Sequence, residues 1–553
     1  MKSAASLSFL PLLWILVSCQ VGAAAEPAAS DTAALIERGR RIYEEGILPN
    51  GELLAATREG GMVTRGEGAA CILCHQRSGM GLTEGAVPVP PITGTALFGK
   101  LELATYGRAP RRAPGMEFKD YHFKVRPPYT EATLALAIRE GLSPGGHRFQ
   151  YLMPRYDLAE PDMKALIVYL RVLSTQPSPG AGAGEIHFAT VVAPDVEASR
   201  RDSYLGALQG CFDEKFSNAG AENPDGNKTG QRWRLHVWDL TGPPESWEKQ
   251  LQARYERQPV FALVSGLGSD EWAPVERFCE SGRIPCLFPN ADVPGSPAGG
   301  RYSFYFFRGA LLEADVMASY LAQQKDKFKR VMQVSRADGA GARAAAALQE
   351  RLADTGLEIS SHTFSSGAQE SLVRALAGLG RQDALVVWLR EADLAELSRR
   401  LATPPPAGMV LLSGLLGGLE NAPVPESWQR RVLLTYPFDP PVRWNRRMDF
   451  NLRPWLAQRG LSGGDERMQG NTVTACNLLF EGMLRLRGQY LRDYLVEWTE
   501  NYPTQMGNAP APEAFPRFSL GPGQRFSSKG AYIVRFAAPP SRRLAPEQEW
   551  IVP

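Results

Sequence analysis

The 553-residue chain lacks the short motifs that most often mark a catalytic or nucleotide-binding site. It contains no G-x-x-x-x-G-K-[ST] run and no H-E-x-x-H, and its six histidines are scattered. Its formal net charge of +2 gives no reason to expect a nucleic-acid partner. We therefore expect a protein that is not an enzyme and whose function lies in what it binds.

Beyond the N-terminus, no stretch approaches the ~20 consecutive apolar residues that a membrane helix needs. The apolar run from Leu7 to Val17, followed by the small residues Gly22-Ala23-Ala24-Ala25, predicts a signal peptide over residues 1–25 and a periplasmic protein. One alternative stays open. Leu16-Val17-Ser18-Cys19 resembles a bacterial lipoprotein box, in which Cys19 would carry a lipid as the sole membrane anchor.

Seven cysteines are consistent with export to an oxidising compartment. Apart from Cys19 and a Cys-x-x-Cys pair, four remain: Cys211, Cys279, Cys286 and Cys476. A helical pattern ends at Cys279 and an apolar run holds Cys286, so we predict a disulfide across the turn between them. The other two either form a long-range pair or are buried as small apolar side chains.

The sequence Cys71-Ile72-Leu73-Cys74-His75 is typical of c-type haem attachment. Two thiols on one helical turn can bond the vinyl groups, while His75 meets the iron. We therefore predict one covalently attached haem (heme c). Met153, in a Met-Pro before an amphipathic helix, is the candidate sixth ligand, with Met116 and His122 as alternatives. A zinc site would need further ligands, and a thioredoxin-like pair would need a preceding strand.

Further motifs around this site make residues 26–175 similar to a class I cytochrome c domain. They are Gly39 and Tyr43 in the first helix, Pro91-Ile92-Thr93-Gly94 after the histidine, the Met-Pro, and Tyr169-Leu170 in the last helix. The resemblance implies an all-α domain. The segment from Gly94 to Tyr129 is longer than this family's pattern.

Residues 176–185 are rich in Pro, Gly, Ala and Ser, which predicts a flexible linker. Beyond it, apolar strand patterns alternate with helical patterns, and the alternation restarts after Arg308. Such alternation predicts two α/β lobes, each a parallel sheet covered by helices. Strand-like runs after Phe515 predict edge strands or a latch on the second lobe, with residues 539–553 as a C-terminal tail.

Residues 186–538 resemble a type I periplasmic solute-binding protein of the branched-chain amino-acid receptor kind. The order of elements carries the resemblance: Val191-Val192-Ala193-Pro194 opens the first lobe, Phe306-Phe307-Arg308 marks a crossover near 308, and the helix from Asn471 to Arg485 follows a return near 436. The resemblance implies a small-molecule ligand in the cleft between the lobes. Its candidate ligand residues are Ser265, Ser269, Asn290, Asp292, Asp338 and Glu391.

Two alternatives limit the ligand prediction. Ser265, Ser269 and Asp338 follow strands and are equally typical of ordinary helix caps. Where amino-acid receptors would place a carboxylate for the ligand's ammonium group, this chain has Leu389-Arg390-Glu391. The cleft could therefore hold a ligand other than an α-amino acid, or none.

The two resemblances together favour a periplasmic electron-transfer cytochrome of a quinoprotein alcohol dehydrogenase system. Its partners would be a PQQ-dependent dehydrogenase and a terminal oxidase or another cytochrome, with the second half serving for docking or ligand sensing. The alternative is an ABC-type substrate-binding receptor whose haem is a redox sensor. A haem peroxidase is disfavoured because Met153 would fill the position where peroxide binds.

Overall fold

The computed structural model describes residues 29–84, 87–99, 126–149, 151–182, 184–216, 232–268, 270–296, 299–365, 369–401, 403–439, 448–486, 488–505, 515, 518–538 and 541–553. The described residues form two compact units. The first consists of residues up to 75 together with 91–99 and 126–173, and the second comprises the rest. None of the helices in these ranges has both the length and the apolar character that a membrane crossing requires.

The first unit is mostly helical. Its elements are α1 (Ala29–Glu45), β1 (Ala55–Thr57), β2 (Val63–Arg65), a 3-10 turn (Gly66–Ala69), α2 (Ile72–His75), α3 (Gly94–Phe98), α4 (Glu131–Glu140) and α5 (Glu160–Val172). The antiparallel pairing of β1 with β2 corrects the prediction of an all-α domain. Five residues, 58–62, separate the two strands and include Gly60 and Gly61, which is a length that permits such a hairpin.

Two motifs of the first unit lie at the crossing of α1 and α5. A Cβ added to Gly39 would lie 2.2 Å from the Ala165 carbonyl oxygen, so only glycine permits this approach. One turn further on, the rings of Tyr43 and Tyr169 pack with centroids 5.4 Å apart. The sequence motif Gly39, Tyr43 and Tyr169 thus sets how closely the two helices pack.

The second unit contains two lobes, each built on its own sheet. The first-lobe sheet is entirely parallel in the order β6-β5-β7-β8-β9. Its strands, most of them buried, are β5 (Glu185–Val192), β6 (Arg232–Asp239), β7 (Ala262–Val264), β8 (Cys286–Leu287) and β9 (Ser303–Phe304). Its helices are α6 (Ala198–Phe216), α7 (Trp247–Arg257) and α8 (Ala273–Ser281), and a 3-10 turn (Pro244–Ser246) precedes α7.

The second-lobe sheet has the order β11-β10-β12-β13-β14-β15-β16, with five parallel strands and two antiparallel strands at one edge. The strands are β10 (Arg330–Ser335), β11 (Glu358–Thr363), β12 (Asp383–Trp388), β13 (Met409–Leu412), β14 (Val432–Tyr436), β15 (Tyr532–Ala538) and β16 (Ser541–Pro546). The helices are α9 (Ala310–Ala322), α10 (Gly339–Leu352), α11 (Gln369–Ala377), α12 (Glu391–Arg400), α13 (Gly414–Gly417) and α14 (Glu426–Gln429). A 3-10 turn (Leu419–Asn421) follows α13.

The chain passes between the lobes three times. It leaves the first lobe after β9 and leaves the second after β14. The later helices are a π-helical turn (Met448–Leu452), α15 (Arg453–Ala457), α16 (Glu466–Leu486) and α17 (Arg492–Gln505). Helix α16 packs on α6 of the first lobe, and β15 then joins the second-lobe sheet. The prediction of a two-lobed α/β fold is confirmed.

Two disulfides lie in the first lobe and on its return helix. Cys279–Cys286 joins α8 to β8, which confirms the predicted staple. Cys211–Cys476 joins α6 to α16 across 265 positions of sequence, so of the two alternatives left open for these cysteines the long-range pair is correct. The second bond ties the returning chain to the first lobe.

The predicted flexible linker, residues 176–185, is instead fixed on the second unit. The backbone N–H of Arg492 donates to Ser178 Oγ (3.0 Å). Gly180, at φ +88°, lies so close to the backbone just before β7 that a Cβ there would meet the Phe261 nitrogen at 2.2 Å. Small residues are present here because the backbone packs tightly, which composition alone does not distinguish from flexibility.

Two further boundaries need correction. Residues 76–90, predicted to belong to the cytochrome-like domain, group with the second unit and contain the short strands β3 (Thr83–Glu84) and β4 (Val87–Pro88). Their attachment is explained by Ser78, whose backbone N–H donates to Glu497 Oε1 (2.9 Å) and whose hydroxyl donates to Oε2 (2.5 Å). Residues 541–546, predicted to lie in a tail, form β16 because the edge strand β15 offers free ladder positions.

Candidate functional site

The candidate ligand residues follow strands at the carboxyl edges of the two sheets. In the first lobe the strand order changes direction between β5 and β7, and in the second between β10 and β12. In open α/β sheets, ligands bind outside the carboxyl ends of the strands at such a switch point. Ser265 follows β7 directly, and Arg390 follows β12 after one intervening residue.

Ser265 and Asn290 belong to one hydrogen-bonded network inside the first lobe. The Asn290 side-chain amide donates to Ser265 Oγ (3.3 Å) and to Thr472 Oγ1 (3.1 Å). Asn471 donates to Asn290 Oδ1 (3.3 Å). The structure thus brings these two predicted residues together and adds Asn471 and Thr472 from α16, which the sequence analysis did not identify as site residues.

Ser265 has a left-handed backbone, with φ +52°, and is almost fully buried. Tyr204 lies beside it and forms a 2.5 Å hydroxyl–hydroxyl hydrogen bond with Thr190. Burial raises the pKa of Tyr204 to about 12, although its hydrogen bonds with Ser265 and Thr190 oppose the shift. The Tyr204 phenol therefore stays neutral at physiological pH and supports the network as a hydrogen-bonding group.

A second cluster joins the two lobes. The Nη2 atom of Arg390, in the second lobe, lies 2.7 Å from Asp270 Oδ1 and 2.7 Å from Asp292 Oδ2, both in the first lobe. Asp270 Oδ1 also accepts a hydrogen bond from the backbone N–H of Ala340 (2.9 Å), in the first turn of α10. We call Asp270, Asp292, Ala340 and Arg390 the interlobe clasp.

The two carboxylates of the interlobe clasp have opposite pKa shifts. Burial disfavours the ionised form of Asp270, but the Ala340 N–H and the Arg390 guanidinium outweigh it, so the pKa is lowered. For Asp292 burial is the larger effect and raises the pKa despite Arg390. The pKa of Arg390 itself is raised because the two carboxylates outweigh its burial. Arg390 thus stays positively charged between two carboxyl groups whose pKa values are shifted in opposite directions.

Asp338 and Glu391 lie at the starts of α10 and α12 in the second lobe. Asp338 is the N-cap residue of α10, but its exposed side chain makes no capping hydrogen bond. The alternative interpretation of Asp338 as an ordinary side-chain cap is therefore wrong, because Asp270 takes that role from the other lobe. Glu391 is exposed and lies against Gly418. Ser269 lies outside the described residues.

Sequence reasoning missed Asp270 and Arg390 as site residues. Arg390 follows the central strand β12, and Asp270 precedes α8, so both occupy positions where binding residues are expected. The signal that could have found them is opposite charge at the carboxyl edges of the two sheets. Their 120-residue separation gives no local pattern that would pair them.

The haem-attachment segment lies in the first unit. Cys71 and Cys74 form no disulfide, and the His75 side chain is buried at the end of α2. Cys71 and Met153 pack against the same apolar cluster. Burial raises the pKa of the Cys71 thiol to about 12. These residues fit a haem held by two thioether bonds. Met116, His122 and Cys19 lie outside the described residues.

The large exposed apolar side chains are concentrated in the first unit. Of nine such side chains among the described residues, seven belong to it: Leu53, Met62, Val63, Leu73, Leu136, Tyr151 and Val172. Among all the residues that the structure describes, no group of three or more His, Cys, Asp or Glu side chains is placed to hold a metal ion. The prediction of a metal-binding protein is corrected for sites of this kind.

No protein-family model and no curated protein matches the sequence. Several solved structures do. A branched-chain amino-acid ABC transporter protein from Thermus thermophilus with bound valine is 14% identical and has a TM-score of 0.48; the match covers 67% of this chain and 97% of that one.

Two other solved structures are similar to the same extent. A fatty acid ABC transporter substrate-binding protein from Thermomonospora curvata is 15% identical, with a TM-score of 0.49 and coverage of 68% of this chain and 95% of that one. A leucine-binding protein from Thermotoga maritima is 14% identical, with a TM-score of 0.48 and coverage of 66% and 99%.

These matches contradict the prediction that the chain functions as an electron-transfer cytochrome in a quinoprotein alcohol dehydrogenase system. The three proteins are a branched-chain amino-acid ABC transporter protein, a fatty acid ABC transporter substrate-binding protein and a leucine-binding protein, and the matches cover about two thirds of this chain. The redox partners inferred from the cytochrome resemblance are withdrawn with that function.

Proposed function

We propose that this protein is a receptor that binds a small molecule between its two lobes and delivers it to an ABC-type membrane transporter. The observation that carries the proposal is the interlobe clasp. It joins residues at the carboxyl ends of strands in both sheets, where α/β folds bind ligands. Such a receptor binds and releases its ligand without chemistry, so we expect no enzymatic activity.

A location outside the cytoplasm is part of this proposal. The disulfides Cys211–Cys476 and Cys279–Cys286 support it, because such bonds persist in an oxidising compartment such as the periplasm. We propose that the receptor acts there, where nutrients and organic acids that have crossed the outer membrane are captured.

The receptor function predicts that a ligand stabilises the closed lobes. The test is a thermal-unfolding screen of the whole protein against amino acids, alcohols, and aliphatic and aromatic carboxylic acids. A ligand at 100 times its Kd should add about 2.7 kcal/mol of stability. The effect should be smaller in Asn290→Ala, which disrupts the network of the first lobe, than in Arg374→Gln, a surface variant of α11.

The proposal also makes a prediction about the purified protein. Native mass spectrometry of material isolated from periplasmic extract should show a bound small molecule that is lost on unfolding and refolding. The receptor function is wrong if no compound of the screen shifts the unfolding midpoint and the isolated protein carries no small molecule.

We propose in addition that the first unit carries one covalently attached haem c. Cys71 and Cys74 would hold the porphyrin, and His75 and Met153 would bind the iron. When bound, the haem would supply a one-electron redox centre, which in a receptor would serve sensing or structure. This chain's own residues would fix the haem's position through α2, which carries both Cys74 and His75.

Haem attachment is tested apart from ligand binding. The denatured protein, made in a host that matures c-type cytochromes, should keep its haem through an electrophoresis gel, and the double variant Cys71→Ala, Cys74→Ala should lose it. Met153→His should change the visible spectrum, because imidazole replaces a thioether on the iron. Haem that acid-acetone extracts from the unmodified protein would rule out the thioether bonds.

A further inference from the structure

A cavity of about 580 Å³ opens where the chain crosses between the lobes. Its walls come from the crossover residue Arg308, from α9 and the end of α10, and from residues 523–529. We call it the crossover cavity. None of its lining residues belongs to the interlobe clasp or to the network around Ser265.

Arg308 and Arg351 give the lining of the crossover cavity an excess of positive charge. Arg308 Nη1 lies 2.5 Å from Asp315 Oδ2, and Arg351 Nε lies 2.9 Å from Asp315 Oδ1. The buried carboxylate of Asp315 thus forms ion pairs with both guanidinium groups. The Nε atom of Arg308 is buried and has no hydrogen-bond partner among the residues that the structure describes. Arg525, by contrast, is neutralised by Glu500 at 2.7 Å.

Lys529 adds a further cation to the cavity lining. The Lys529 ammonium donates to the Ser519 carbonyl (3.0 Å), to the Ser519 hydroxyl (2.9 Å) and to Gln524 Oε1 (2.7 Å). All three acceptors are neutral, and the partial burial of Lys529 lowers its pKa. The neighbouring Ser528 is 1% exposed, and its hydroxyl has no partner within the described part of the chain.

Apolar groups also line the cavity. Leu312, Ala318 and Ala322 contribute from α9, and Phe526 and Val552 from the C-terminal part of the chain. Pockets of this volume that combine an apolar wall with a few charged groups suit small amphipathic ligands. A carboxylate would meet the surplus guanidinium and ammonium charge, and its hydrocarbon part would cover the apolar wall.

We propose that the crossover cavity is a second ligand site, which binds a small organic carboxylate with an apolar body. This inference does not depend on the ligand of the interlobe cleft. Arg351 and Lys529 are the cations that recognise the carboxylate, because neither has a carboxylate of its own: Arg351 shares Asp315 with Arg308, and Lys529 has only neutral acceptors. The α9 face supplies the apolar contact.

The test is calorimetric titration of the full chain with octanoate and with benzoate. Octan-1-ol, which lacks the charge, and inorganic phosphate, which lacks the hydrocarbon, serve as matched probes. We expect both carboxylates to bind and the two matched probes to bind at least tenfold more weakly, since a charge-assisted hydrogen bond and the apolar contact each contribute.

Variants locate the site. Arg351→Gln and Lys529→Gln should each weaken octanoate binding about tenfold, and Ala322→Phe should block it by filling the cavity without changing charge. Arg351 and Lys529 are partly exposed, so the fold should survive both substitutions, which circular dichroism checks. Arg374→Gln removes the same charge from α11 and should bind normally.

Three results would overturn the proposal. The first is no binding of either carboxylate. The second is octanoate binding that is unchanged in Arg351→Gln, Lys529→Gln and Ala322→Phe, since the ligand would then lie outside the crossover cavity. The third is phosphate binding as tight as octanoate binding, which would make the cavity a simple anion site.

Discussion

Asp270 in the first lobe accepts a hydrogen bond of 2.9 Å from the backbone N–H of Ala340, in the first turn of α10 in the second lobe. A helix N-terminus normally receives such a bond from its own N-cap residue. Here the N-cap Asp338 makes none, and the carboxylate of the other lobe takes its place beside the positive end of the helix dipole. The closed arrangement of the lobes thus completes a helix cap.

The first prediction concerns the cation of the interlobe clasp. Arg390→Gln removes both cross-lobe ion pairs and should shift the lobes toward an open form, which small-angle X-ray scattering would detect as a larger radius of gyration. Because Arg390 is 42% exposed, screening limits the loss to about 1 kcal/mol of closure free energy. The control Arg336→Gln breaks an ion pair with Asp393 inside one lobe and should leave the radius unchanged.

The second prediction distinguishes the contributions of Asp270 and Asp292 to lobe closure by their pH dependence. The pKa of Asp270 is lowered in the closed form, so its contribution to closure is present above its ordinary value near 4 and is lost as the pH falls through the lowered value. The pKa of Asp292 is raised, so the closed form binds its proton more tightly and acidification favours closure. In the wild type these two effects oppose each other.

Removing one acid at a time should therefore give opposite results. Asp292→Asn leaves Asp270 alone and should open as the pH falls below about 4, whereas Asp270→Asn should not open more over the same range. Scattering curves or a fluorophore pair across the cleft would measure this. The same acid response in both variants would contradict the assignment.

The two lobes could be predicted because their strands are apolar runs that alternate with amphipathic helices. Strands such as β12, buried on both faces, leave a continuous hydrophobic pattern that needs no knowledge of the rest of the chain. Ser265, Asn290 and Asp292 were found for the same local reason, since each follows a strand. The tertiary partners of these residues were not found, because Thr472 and Arg390 come from distant segments.

The segment of residues 176–185 shows most directly what could not be predicted from the sequence. Its composition predicts a flexible tether, but the side chain of Arg492, more than 300 positions later, donates to the carbonyls of Pro179 (3.1 Å) and Val260 (2.7 Å). The guanidinium also donates to the Phe261 carbonyl (3.1 Å). Because Arg492 binds backbone carbonyl oxygens, which every residue has, the sequence of the bound segment does not indicate the contact.

The third prediction compares the two disulfides. By loop-closure entropy, a bond across 265 positions should stabilise the fold by about 5.6 kcal/mol and one across seven positions by about 2.4 kcal/mol, because each restricts the unfolded chain. The double variant Cys211→Ala, Cys476→Ala should therefore lose more stability than Cys279→Ala, Cys286→Ala, measured by denaturant unfolding. Equal losses would show that the longer bond does not constrain the unfolded chain in this way.

The last prediction concerns Glu497, which holds residues 76–82 on the second unit through Ser78. Burial raises the pKa of Glu497 to about 8, although both hydrogen bonds from Ser78 oppose the shift. Between its ordinary value of 4.5 and about 8, the folded protein holds a proton that the unfolded chain has released. Stability from this group therefore falls as the pH rises through that range, and above about 8 the buried carboxylate becomes charged.

We expect trypsin cleavage after Arg77 to accelerate between pH 7 and pH 9 as this segment is released. Glu497→Gln keeps a carbonyl acceptor for the Ser78 N–H but cannot ionise, so its cleavage rate, compared at each pH, corrects for the protease itself. The wild-type rate relative to that of Glu497→Gln should rise with pH, and Glu497→Ala should be cleaved rapidly throughout. A constant ratio of wild type to Glu497→Gln would show that ionisation of Glu497 does not control the segment, because only this carboxyl group differs between the two proteins.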